Sequence, residues 1–225
     1  MEADEFIKLA TQGDENAALA EVKRDVELAA ARNEAGVSVI CLAVYHQRGS
    51  LAAALASHRA DLDIFEATCI GDLRRVRELL SGEPGSANSV SPDGFSPVGY
   101  GAFFGHVEVL GELVRRGGDV GAASRNAMKV CPIHSAVAHS NHATAVELAR
   151  IVLDAGADVN ARQQAGYTAL HEAAMNGNVE LVEFLLKHGA DPALANDEGT
   201  KAVDLARSKG HERVVDVLRL REKGT

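Results

Sequence analysis

Tryptophan is absent, and Phe and Tyr together make up 4% of the 225 residues, which excludes a large ring-filled core. Cysteine is scarce. Cys41, Cys69 and Cys131 are an odd number without paired spacing, which speaks for a reduced, intracellular chain whose thiols pack as small apolar groups. No long apolar run exists; the most apolar stretch, residues 37–45, is far too short to span a bilayer. The opening MEADEFIKLA lacks a basic and an apolar segment, so no signal peptide is expected and the chain reads as cytoplasmic. Positive charge is in deficit: 23 basic residues face 32 acidic ones, for a net −9. That balance argues against nucleic acid or an anionic membrane as partner, since both require a basic face. What is abundant is Ala, Leu and Val, within an apolar content of 46%. This composition suits short, closely packed helices.

The chain repeats itself. The clearest copy is GYTALHEAAMNGNVELVEFLLKHGAD, residues 166–191, with looser copies at 94–119, 130–158 and 199–218. The fuller copies pass through a polar turn, a small-residue helix, a Gly, a second apolar helix and a Gly-Asp type terminator. Leu181, Val182, Leu185 and Leu186 recur at helical spacing and form one buried face. Such a unit cannot bury that face alone, so copies must stack into a solenoid.

Seven units can be anchored on the middle of their first helices, at Leu9, Ala43, Ala67, Gly101, Ala136, Ala173 and Ala206. The steps between them are 34, 24, 34, 35, 37 and 33 residues. The 24-residue step has no room for a finger between its two units. The 37-residue step carries four extra residues around His139 to His142, expected as a loop. The finger before it, residues 120–131, is two residues longer than its counterpart at 159–168.

These units resemble ankyrin repeats, over nearly the whole chain. The resemblance implies an all-α ankyrin-repeat solenoid of stacked helix-turn-helix units with short β-hairpin-like fingers. It divides the chain into divergent capping units, residues 1–60, and a repeat array with a C-terminal cap, residues 61–225. The cap is rich in long charged side chains, among them Arg207, Lys209, Arg213, Arg219, Arg221 and Lys223. The resemblance further implies that Thr168 and His171 hold one repeat through hydrogen bonds along the stack. Cys131 and His134 would do so only partly.

By the same resemblance the chain is a non-enzymatic protein-binding module, a scaffold, adaptor or inhibitor, with a concave face of finger tips and inner helices. Phe95, Phe103 and Phe104 fall at positions that ankyrin proteins vary to bind partners, and Met175 and Asn176 align with the last two. The repeat from Gly94 also holds Gly99, Gly101 and Gly111 inside its helices, which would make room for rings packed between repeats. On the fingers, Arg125, Lys129 and Arg162 form a basic centre beside Gln164 and Tyr167, flanked by acidic Asp93, Asp197 and Glu198. The expected partner is another protein, bound by a monomer, with no cofactor and no catalytic residue. No His-Glu-x-x-His, Gly-x-Ser-x-Gly or phosphate-binding Gly-rich loop occurs. An alternative is a metal-responsive regulator using His139 and His142, near His134, as imidazole ligands.

Overall fold

The computed structural model describes residues 1–222; Lys223, assigned above to the polar cap, lies outside them. Among the described residues fourteen α-helices pair into seven units: α1 Ala3–Gln12 with α2 Glu15–Arg24, α3 Val39–Tyr45 with α4 Gly49–Ala56, and α5 Ile64–Cys69 with α6 Leu73–Gly82. Then come α7 Pro97–Phe104 with α8 Val107–Arg115, α9 Pro132–Val137 with α10 His142–Asp154, α11 Ala169–Met175 with α12 Val179–Lys187, and α13 Ala202–Ser208 with α14 Glu212–Glu222. Each anchor residue lies in the first helix of its unit. First helices contact one another in chain order from α1 to α13, and second helices pack alongside them. The result is a stacked solenoid.

Caps start these helices where the chain must leave a turn. Ser96 Oγ accepts from Gly99 N–H at 3.0 Å, with Pro97 in the first helical turn of α7. Asp14, Asp72, Asn141 and Asn178 do the same for second helices. Buried histidines then join the units. His134 Nδ1 accepts from Cys131 N–H at 3.1 Å and its Nε2 donates to Ala161 O at 2.9 Å. In the clearest repeat, His171 Nδ1 receives the Thr168 hydroxyl at 2.8 Å, while Nε2 donates to Thr200 O at 3.1 Å. Cys131 therefore serves its histidine through the backbone, and the hydroxyl of Thr168 is spent on the ring. Burial holds both imidazoles below the usual histidine pKa, in the neutral form that can accept at Nδ1 and donate at Nε2.

The fingers are not hairpins. Among the described residues there is no β-strand, only isolated bridges at Arg32–Ser38 and Ala195–Lys201. The reason is that a side chain supplies what a second ladder bond would. Ser91 N–H donates to Phe95 O at 2.9 Å, and Ser91 Oγ accepts from Phe95 N–H at 2.9 Å. Asn33 with Val37 and Asn196 with Thr200 repeat this closure. One backbone bond plus one side-chain bond seals each of these turns, while Gln163 N–H to Tyr167 O at 2.9 Å closes the finger before α11 alone; in every case the pairing stops at the turn. In the longer finger the same closure joins Ser124 to Val130, and the two additional residues are taken up inside that turn.

The insertion after α9 is also not a loop. Helix α10 has 13 residues against 9 in α12, so the extra residues lengthen the second helix, capped by Asn141. His139 packs over Gly105, as His106 packs over Gly71 and His211 over Gly177; each turn glycine has positive φ and no room for a Cβ beneath the ring.

At the 24-residue step, polar contacts stand where a finger would be. Asp63 and Glu66 form a reciprocal cap on α5. Glu66 is fully buried, and Arg32 and Arg59 reach its Oε1 at 3.3 and 3.6 Å. A cleft of about 540 Å³ opens between the second helices α4 and α6, lined by Ala53, Leu62, Arg74 and Arg75. Buried apolar residues form two clusters: one holds residues between Phe6 and Leu62 together with Cys69 and Tyr100, the other runs from Ile64 to Leu218, and Phe65 packs against both.

Candidate functional site

The finger-and-first-helix face carries an apolar cavity of about 320 Å³, lined by Tyr45, Asp93, Phe95, Tyr100, Phe103, Asn126 and Met128. Helices α3 and α7 and the fingers on either side of the α7–α8 pair build it. Helix α3 ends on Tyr45, the finger before α7 brings Asp93 and Phe95, and the longer finger beyond α8 brings Asn126 and Met128. Helix α7 lies between them with Gly101 facing Leu110 of α8, where an added Cβ would make ordinary van der Waals contact at 3.4 Å. With that side against α8, α7 turns its rings toward the finger side. Phe103 is 48% exposed at the rim, and Tyr100 is 2% exposed at the back.

The rings meet at steep angles. Tyr45 and Tyr100 stand at 86° with centroids 6.1 Å apart, and Phe103 lies 5.8 Å from Tyr45 at 52°. Phe104 packs edge-on against Tyr100 and is also 5.1 Å from Tyr45. Asp93 pins this arrangement. Tyr45 Oη donates to its Oδ2 at 2.8 Å, Tyr100 Oη reaches Oδ1 at 2.9 Å, and the Ser91 hydroxyl donates to Oδ1. Burial foremost, and the Asp93 carboxylate besides, push both phenols above the usual tyrosine range, so each remains a protonated donor. Asn126 Nδ2 ties the next finger to Asp93 O at 3.0 Å, and Arg125 N–H ties it to Gly94 O at 2.7 Å.

The residues singled out in the sequence divide into two groups. Phe95 and Phe103 line the cavity, Phe104 supports its wall, and Arg125 and Lys129 are exposed on the same finger as Met128. Arg162, Gln164, Tyr167, Met175 and Asn176 belong to the next repeat. Its finger is joined to the first group by Gln164 N–H donating to Met128 O at 2.9 Å. Arg162 is engaged within the stack, with Asp197 at 3.0 Å and Ala195 O at 3.0 Å. Tyr167 is half-buried beside His171, Asn176 leans on Glu172, and Met175 is half-buried. Of the acidic flanks, Asp93 holds two tyrosines and Asp197 holds Arg162, while Glu198 is exposed. The sequence candidates do not include Tyr45, Asn126 or Met128, nor the role of Asp93. A signal for Tyr45 existed, since it follows its anchor by two residues, as Phe103 and Met175 do.

The histidine alternative does not assemble. His139 Nδ1 accepts from Asn141 N–H at 3.2 Å, and His134 is bound on both ring nitrogens. Among the described residues no group of three His, Cys, Asp or Glu could hold a metal ion. The three cysteines are buried and free. No helix among the described residues is long and apolar enough to cross a membrane.

A family model for ankyrin repeats in three copies matches residues 134–225. Those residues belong to the ankyrin-repeat family. The chain is 44% identical over 66 residues to Notch-regulated ankyrin repeat-containing protein B of Danio rerio, covering 29% of this chain and 60% of that protein. It is 45% identical over 58 residues to the human Notch-regulated ankyrin repeat-containing protein, covering 26% and 51%. It is 43% identical over 75 residues to a probable E3 ubiquitin-protein ligase, XBOS34, of Oryza sativa subsp. japonica, covering 32% and 15%. The chain therefore spans less than two thirds of the length of these relatives. The aromatic cavity, built from residues 45–128, precedes the segment that the family model matches.

Proposed function

We infer that this ankyrin-repeat chain is a non-enzymatic module for protein–protein interaction and that its partner docks on the finger-and-first-helix face. The observation that carries the docking surface is the aromatic cavity. Phe103 and Met128, 48% and 45% exposed, stand at its rim, while pinned tyrosines form its back. Rings and Met on a rigid support give contact area with little ordering cost, which is what binding hot spots require. Arg125 and Lys129 beside it supply a charged rim. The second helices offer charged side chains such as Glu183 and Lys187 instead, and serve as the back of the stack. The reading extends to a cytoplasmic monomer acting as scaffold, adaptor or inhibitor, with residues 1–60 and 61–225 as capping block and array.

The test is affinity capture with quantitative mass spectrometry, comparing wild type, Phe103→Ala with Met128→Ala, and Glu183→Ala with Lys187→Ala. A protein recovered by wild type and by the second-helix variant but lost from the cavity variant supports the reading. Equal recovery by all three refutes this placement of the interface.

A further inference from the structure

The cavity has an unusual combination of walls. Rings of Tyr45, Phe95, Tyr100 and Phe103 meet at steep angles around it, and the only ionised group on its lining is the carboxylate of Asp93. Three hydroxyls donate to that carboxylate, yet among the described residues no Lys or Arg pairs with it. The hydroxyls orient the charge without neutralising it. Aromatic faces add negative potential of their own, through the ring quadrupole. The volume, about 320 Å³, lies at the small end of ligand pockets, which run from roughly 300 to 1,000 Å³.

An apolar side chain would suit the rings and leave the carboxylate uncompensated. A bare ammonium would suit the charge, but would have to shed its water against walls that offer few free acceptors. Alkylation of the nitrogen resolves both demands, because methyl groups spread the positive charge over an apolar surface. We propose that this cavity takes the methylated ammonium head of a lysine side chain on the partner protein, a reading that rests on the protein-binding role above. Net charge −9 favours the approach of a cationic segment to the molecule as a whole, while Arg125 and Lys129 at the rim oppose it locally, so the cavity's rings and Asp93 must supply the selectivity. The open rim at Phe103 and Met128 admits a side chain that stays attached to its own backbone.

The full chain labelled at its methionine methyl groups provides a local readout, since it has only three Met. Four probes are titrated by NMR: acetylated, amidated trimethyl-lysine; the same compound unmethylated; its uncharged isostere with carbon in place of nitrogen; and choline. The Met128 resonance, assigned by Met128→Leu, is expected to shift saturably with trimethyl-lysine, and at least tenfold more weakly with the unmethylated and uncharged compounds. Phe103→Ala and Asp93→Asn are each expected to weaken trimethyl-lysine at least tenfold. Phe103 lies at the rim, so its variant keeps the test decisive if Asp93→Asn does not fold. Equal binding of the uncharged isostere would make this an apolar pocket and overturn the proposal while leaving the protein-binding role intact. Equal binding of unmethylated lysine, or tighter binding of choline, would overturn it as well. So would an unmoved Met128 signal with all four probes. The capture experiment fails or succeeds independently of these titrations.

Discussion

Glu66→Ala is the sharpest perturbation of the stack, because a single carboxylate replaces the missing finger at the 24-residue step. In the native protein Glu66 Oε2 accepts from Asp63 N–H at 3.0 Å, closing the cap on α5, and its Oε1 faces Arg32 and Arg59. Losing the cap costs about 1 kcal/mol. Leaving arginines beside a buried void adds a further penalty; breaking a buried pair costs about 3–5 kcal/mol when the remaining charge has no other partner. Here Arg32 keeps Asp63 and Arg59 keeps Asp61, so this second penalty falls below that range, to about 2 kcal/mol. The expected loss is about 3 kcal/mol, and Glu66→Gln, which retains the cap acceptor, should lose about half as much. The assay is urea unfolding followed by circular dichroism and by tyrosine emission, which is readable because Trp is absent. Phe65 and the Glu66 cluster join the two apolar blocks, so the alanine variant should also unfold with a shallower, less cooperative transition. A change below about 0.5 kcal/mol with an unaltered slope would refute this account of the junction.

Gly111 lies in α8 with open space where a Cβ would be, so Gly111→Ala should stabilise the chain by about 0.5–1 kcal/mol in the same assay; a loss of stability would show that the helix is not exposed there. His134 and His171 have folded pKa values below the ordinary 6.5, chiefly through burial, so the unfolded chain binds more protons. Their contribution is full above about pH 6.5 and declines as pH falls below it, and thermal midpoints should drop between pH 7.5 and 5.5. Midpoints that stay level or rise would contradict neutral, buried imidazoles. Glu112 is held near a pKa of about 2, first by its hydrogen bond to Arg115 and then by Arg77. Its stabilisation is present above the ordinary 4.5 and lost as pH falls toward about 2, so Glu112→Gln should flatten the acid limb of the stability profile, and an unchanged limb would count against these pairings of Glu112 with Arg115 and Arg77.

The repeat was legible because its signals are local and periodic. Each anchor marks a first helix, Pro97 and Pro132 sit in first turns, and Leu181, Val182 and Leu185 of α12 are buried as their spacing requires, with Leu186 of the same run only partly so. The misreadings arose where a side chain substitutes for backbone structure. Ser91, Ser124, Asn33 and Asn196 close turns that would otherwise need paired strands, and polarity alone does not distinguish the two. The residues around His142 read as an interruption, yet Asn141 supplies a cap and the helix simply starts earlier. Pairings across the stack were invisible for a different reason. Nothing near Glu66 announces Arg32, and nothing near Asp93 announces Tyr45, because these contacts are set by which units become neighbours. The cavity therefore emerged only with the fold, although two of its rings were already suspect.

The most direct test of the interface is isothermal titration of the captured partner against wild type, Phe103→Ala and Lys187→Ala. Truncating a rim ring at a binding hot spot costs at least about 2 kcal/mol, so Phe103→Ala should raise Kd about 30-fold or more. Lys187→Ala, on the exposed face of α12, should stay within about twofold of wild type. Unchanged affinity for Phe103→Ala, with the fold intact by circular dichroism, would contradict the placement of the binding face.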